Sequence, residues 1–147
     1  MEEGVRQPDF CRLVEEGLSL GKVEPSSYSP LVLAYIGDAV YELLIRTKVV
    51  SHGSVQVNKM HKKSASLVNA GTQAALVRVL LEELSEEELA VYKRGRNAKS
   101  GTMAKHATMA DYRTATGFEA LMGYLYLAGR HERMIGLVRL GLEKIGE

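Results

Sequence analysis

Apolar residues recur along this chain at spacings of three and four, the repeat of helices with one buried face. No stretch alternates like a half-buried strand. The pattern predicts an all-α bundle. Residues of about 7–18 form a short amphipathic opener with Phe10, Leu13, Val14 and Leu18 on one side. Gly21 to Ser29 holds Gly, Pro and Ser and reads as a loop. Ser29-Pro30 then marks a helix start, a hydroxyl cap followed by a proline whose missing N–H costs nothing there. The helix from Pro30 to about Val50 is largely apolar (LVLAYIGDAVYELLI) and takes a central place, until Ser51-His52-Gly53-Ser54 breaks it.

A basic helix follows to about Ala70, and Gly71-Thr72 separates it from another over Thr72–Leu84. Ser85 with Glu88 makes a capping box, so the next helix starts at Glu86 and runs to about Lys93. The segment RGRNAKSGTMAKHAT, Arg94 to about Thr108, has two glycines and no apolar stripe, and reads as an exposed loop. A second buried helix spans about Tyr112 to Ala128 and stops at Gly129, and a last one covers about His131 to Ile145. No repeat and no long linker divides the chain, so 1–147 reads as a single domain, large enough to bury a core without staples.

Composition narrows the class. The lone cysteine, Cys11, excludes an internal disulfide framework; it reads as an apolar filler and suits a reducing, cytoplasmic setting. No apolar run approaches the ~18 residues that span a bilayer, and the acidic opening MEEGVRQPDF is no signal peptide. The net charge of +1 conceals strong patterning. Leu43 to Leu81 contains no Asp or Glu but carries Arg46, Lys48, Lys59, Lys62, Lys63 and Arg78. Leu89 to Ala110 likewise has only cations, Lys93, Arg94, Arg96, Lys99 and Lys105. Two basic stretches suit a polyanion such as nucleic acid, or else a plain solvated surface.

Two acids stand out against this background. Asp38 lies within YIGDAV on the first apolar helix and Glu119 within FEALM on the second, where an unpartnered carboxylate is costly. If the two face each other they repel unless a cation lies between them, and oxygen-only ligands suit Mg²⁺ or Mn²⁺. The alternatives are an ion pair of Asp38 with an arginine such as Arg113, or a helix edge turned to solvent. Gly37, a poor helix former, fits a place where something approaches the backbone closely. Glu42, four residues after Asp38, reads as a surface residue or a support to the site, and Asp111 as a first-turn or capping acid. His52, His61, His106 and His131 show no paired spacing, and neither a GxSxG nor a phosphate-loop pattern occurs.

LAYIGDAVYELLIR, Leu33 to Arg46, resembles the ribonuclease III signature, and TATGFEALMGYLYLAG, Thr114 to Gly129, resembles that family's second signature helix. HKKS (His61 to Ser64), KRGRNAKSG (Lys93 to Gly101) and YRTATGFEAL (Tyr112 to Leu121) are similar to segments of its Mini-III branch. The resemblance covers roughly residues 26 to 140. It implies a ribonuclease III-like helical bundle in a symmetric homodimer, with Asp38 and Glu119 as catalytic, metal-binding carboxylates and Mg²⁺, or Mn²⁺ in its place, as cofactor. Where full-length ribonuclease III has two further acids, this chain has Ala34 and Thr116, a reduction similar to that of the Mini-III branch, which implies fewer protein oxygens around an ion.

The resemblance also implies cleavage of double-stranded RNA to 5′-phosphate and 3′-hydroxyl ends with short 3′ overhangs. The expected substrate is precursor large-subunit (23S) ribosomal RNA, met in the company of ribosomal proteins. The sequence ends without the double-stranded-RNA-binding domain of ribonuclease III, which leaves the grip on RNA to the basic stretches. Arg94, Arg96, Asn97, Lys99 and Lys105 are the candidates in the loop, with Lys62 and Lys63 as a second contact. A non-catalytic RNA-binding module of the same fold is the competing reading; retention of both carboxylates speaks against it.

Overall fold

Most helices begin where a short polar side chain takes up their free N–H groups. The computed structural model describes residues 9–53, 55–99 and 108–147. Asp9 caps α1 (Phe10–Gly17), accepting from the Arg12 amide at 2.9 Å. Ser29 caps α2 (Pro30–Val50), which starts on Pro30 as expected. After α3 (Val57–Val68), Asn69 caps α4 (Ala70–Arg78). Ser85 and Glu88 complete the capping box of α5 (Glu86–Asn97), and Thr108 caps α6 (Met109–Leu127). The last helix is α7 (His131–Lys144). Among the described residues there is no strand, and no helix is long and apolar enough to cross a membrane.

Several boundaries depart from the sequence reading. The amide of Asn69 closes α3 and its carbonyl opens α4, so the break falls before Ala70 rather than at Gly71-Thr72. The expected helix to Leu84 ends at Arg78 and gives way to a 3₁₀ turn at Leu81–Glu83; a second such turn, Pro25–Ser27, lies in the loop before α2. Along α1, Cys11 is buried as a filler should be, but Phe10 and Leu13 are exposed. The largest departure is α5, which runs through Arg94, Gly95, Arg96 and Asn97 instead of yielding to a loop at Arg94. Packing explains it. Gly95 is buried against α6, where a Cβ would sit 2.7 Å from Ala120 Cβ and 2.9 Å from Gly117 Cα.

Helix α6 is the axis of the fold. It is buried from Thr114 to Leu125, apart from half-buried Glu119, and packs against α2, α4 and α5. Tyr41 of α2 meets Phe118 of α6 edge-on at 5.1 Å, and its hydroxyl donates to the Leu67 carbonyl at 2.7 Å, tying α3 to the same core. The crossing of α2 and α6 is made of glycine. A Cβ on Gly37 would collide with the Glu119 carbonyl oxygen and stand 2.7 Å from the Gly123 nitrogen. A Cβ on Gly123 would collide with the Leu33 carbonyl oxygen. No side chain separates the two backbones there.

Gly37→Ala therefore forces the central helices apart. It should cost about 3 kcal/mol or more by overpacking, lowering the melting temperature by about 6–12 °C in a chain of this size. Gly136→Ala on α7, with open space around its Cβ, should instead gain up to about 1 kcal/mol from helix propensity. Paired thermal melts check both, and an unaltered melt for Gly37→Ala would refute the tight crossing.

Candidate active site

The glycine crossing dictates where the two singled-out acids lie. Asp38 follows Gly37 on α2, and Glu119 is the residue whose backbone Gly37 touches on α6. Their carboxyl groups meet within hydrogen-bond reach. Glu119 is half-buried, whereas Asp38 is exposed on an edge of its helix, one of the alternatives the sequence left open. The face of α2 that carries Asp38 also carries exposed Leu31, Val32 and Tyr35, so its apolar neighbours lie at the surface. The group facing Asp38 is an acid and not Arg113, which is exposed on the first turns of α6.

Burial pushes the Glu119 carboxyl up to about 8, with the adjacent Asp38 charge and hydrogen bond adding to the rise and a hydrogen bond from Gln73 opposing it. Two carboxyls in contact at neutral pH thus share a proton or need a cation. The donor set fits a hard divalent ion: two carboxylate oxygen sources, open to solvent on the Asp38 side. Among the described residues no third His, Cys, Asp or Glu joins them. Ala34 offers only a methyl group, and the Thr116 hydroxyl is turned back to donate to the Tyr112 carbonyl at 2.9 Å on its own helix. Glu42 pairs with Arg46 across one helical turn at 2.8 Å, as a surface residue would. Asp111, in the first turn of α6, is bound by Arg78 at 2.9 Å.

One residue escaped the sequence reading. Gln73 on α4 is 2% exposed, donates to the Val68 carbonyl at 2.7 Å and also reaches Glu119. Its signal was a single amide side chain beside the apolar run AALV, which periodicity alone does not distinguish from a helix edge.

The cationic candidates are dispersed. Lys62 and Lys63 project from α3, Lys63 paired with Glu147 at 2.9 Å in an exposed bridge. Arg94, Arg96 and Asn97 occupy the last turn of α5 rather than a loop. Arg94 donates to the Tyr28 carbonyl at 3.4 Å, and Arg96 lies over the Tyr92 ring at 5.7 Å and donates to Asn97 at 3.2 Å. Lys99 follows that helix in exposed chain, and Lys105 lies outside the described residues.

The chain as a whole has counterparts among known proteins. The model of the Ribonuclease III domain matches residues 31–130, and the chain belongs to the ribonuclease III family. It falls in the Mini-ribonuclease 3 branch and is an endoribonuclease. It is 51% identical to the Mini-ribonuclease 3 of Thermoanaerobacter sp. (strain X514), over 82% of this chain and 85% of the relative. The Clostridium tetani Mini-ribonuclease 3 is 49% identical, over 84% of this chain and 83% of its own. Among solved structures, the X-ray structure of a Fusobacterium nucleatum protein superposes with a TM-score of 0.74 at 30% identity. It covers 80% of this chain and 94% of that one.

The raised Glu119 pKa has a measurable consequence in chelator. From about 4.5, where an unfolded glutamate releases its proton, up to about 8, the native state holds a proton that the unfolded chain has lost. Native stability therefore falls as pH rises through that window. In EDTA, wild type should lose about 4 kcal/mol relative to Glu119→Gln between pH 5 and pH 9, read by urea unfolding. A difference that does not change with pH would rule out the close carboxyl pair.

Proposed function

We propose that this chain, as one catalytic domain, is a divalent-metal-dependent endoribonuclease for double-stranded RNA, with Asp38 and Glu119 as its catalytic, metal-binding carboxylates. The observation that carries the reading is their meeting within hydrogen-bond reach on helices held together by glycine. Such a pair is stable in its charged form only around a cation. Asp38 and Glu119 would hold Mg²⁺, or Mn²⁺ in its place, which would supply charge to polarise the scissile phosphate and activate water. Glu119, half-buried and held by Gln73, sets one side of the centre; Asp38, at the surface, faces an incoming strand. Water adds to phosphorus, the bond to the 3′ oxygen breaks, and 5′-phosphate and 3′-hydroxyl ends result.

Lys62, Lys63, Arg94, Arg96, Asn97, Lys99 and Lys105 grip backbone phosphates in this reading. An exposed bridge such as Lys63–Glu147 contributes little on its own and can open to RNA. Duplex RNA has a local two-fold axis, and a two-fold homodimer matches it with one centre per strand. Tyr35, 81% exposed one turn before Asp38 and beside Leu31 and Val32, supports a self-association surface there. The substrate we infer is precursor 23S ribosomal RNA, cut in the cytoplasm in the presence of ribosomal proteins, which the relatedness to Mini-ribonuclease 3 proteins supports.

Asp38→Asn should abolish Mg²⁺-dependent cutting of a long RNA duplex, by about a thousandfold or more, while leaving gel-shift binding in Ca²⁺ intact. Binding without cutting by wild type as well would establish the RNA-binding module instead. Tyr35→Asp should shift sedimentation from dimer toward monomer. An unaltered dimer would move the subunit contact elsewhere.

A further inference from the structure

Gln73 is placed for a task that core packing does not explain. It stands on α4, which lies against α6, and it is among the fully enclosed side chains of the protein. Buried glutamine is unusual, because every amide hydrogen and lone pair removed from water needs a partner. Two of its connections are clear. The side-chain nitrogen donates to the Val68 carbonyl at the end of α3 at 2.7 Å, and the amide lies close enough to the Glu119 carboxyl to lower its pKa. The Val68 carbonyl can only accept, so the nitrogen must face it, and this fixes which end of the amide is oxygen. That oxygen, Oε1, is then a buried acceptor for which no group among the described residues supplies a donor. A leucine would fill this position without the polar burden.

The neighbourhood of Glu119 makes the polarity intelligible. Ala34 has no polar group to offer, and the Thr116 hydroxyl is committed to the Tyr112 carbonyl. Phe118, Ala120, Leu121 and Met122, flanking Glu119 along α6, are all buried and apolar. We propose that Gln73 is a positioning residue of the metal centre: anchored on the Val68 carbonyl, its amide holds the Glu119 carboxylate toward Asp38, and its Oε1 stands ready to accept from a water at the centre. The inference rests on the two-carboxylate reading above and deepens it by naming what orients the buried half of the pair. Partners that orient metal ligands in this way commonly alter metal affinity when removed, with the fold intact.

The test measures ion binding directly. Full-length wild type, Gln73→Met, Gln73→Asn and Asp38→Asn are titrated with Mn²⁺ while free ion is followed by electron paramagnetic resonance, and folding is checked by circular dichroism in EDTA. Gln73→Met keeps the length of the side chain without its hydrogen bonds. It should fold and bind Mn²⁺ about tenfold more weakly, with the Mn²⁺ requirement for duplex cleavage raised in parallel and the rate largely recovered at saturating ion. Leu76→Ala on the same helix should lower the melting temperature without moving Mn²⁺ affinity.

If Gln73→Met fails to fold, Gln73→Asn decides. One methylene shorter, it keeps the amide but cannot span Val68 and Glu119 together, and the same weakening is expected. Unchanged affinity in a folded Gln73 variant, beside a wild type that binds and an Asp38→Asn that does not, overturns the role of Gln73 alone. A wild type that binds no better than Asp38→Asn overturns the two-carboxylate centre and this inference with it.

Discussion

The structure depends on the contact of two bare stretches of backbone. Where α2 crosses α6, Gly37 and Gly123 let the chains approach until no Cβ fits between them, with Leu33 and Glu119 carbonyls lining the junction. Interiors pack densely and do not deform continuously, so a crossing this close has little freedom to slide or tilt. Asp38 comes next after one of these glycines, and Glu119 is the residue that the same glycine touches. The juxtaposition of two acids is a consequence of the steric arrangement that holds the bundle together. Gly95 and Gly117 repeat the device between α5 and α6, giving the central helix close contacts on two sides.

Electrostatics then works against the packing. Partial burial of Glu119 beside another carboxyl raises its pKa to about 8, and among the described residues no cationic side chain pairs with either acid, Arg113 being exposed and Arg78 engaged with Asp111. Fold-level stability would be better served by a neutral pair. Retaining two acids in such a place is the pattern of a functional site, where local unfavourable energy is maintained by the surrounding structure. The family to which the chain belongs is one of endoribonucleases, and the conflict sits where an ion that serves both carboxylates would relieve it.

Much of this was legible in the residues. The periodicity gave the all-α class, and α2 begins and ends where Ser29-Pro30 and Ser51 said it would. Ser85 and Glu88 announced their capping box, and Gly37 announced a close approach whose partner only the fold could reveal. What failed did so for identifiable reasons. Arg94 to Asn97 looked like loop because Gly95 is a poor helix former, yet that glycine is what lets the helix continue against α6. Asp38 could not be placed between core and helix edge because its neighbours are apolar, and apolar residues on an unpartnered face lie in solvent. Gln73 left almost no trace, since a buried amide and an exposed one look alike in a helical pattern.

The central claim concerns one point in space, between the Asp38 and Glu119 carboxyls. Anomalous diffraction from crystals of the full chain soaked in Mn²⁺ observes that point directly. A peak within coordinating distance of oxygens from both side chains, lost in Asp38→Asn crystals, is the expected result. Anomalous density bound elsewhere, with the two carboxyls still in mutual contact and no ion between them, would contradict it.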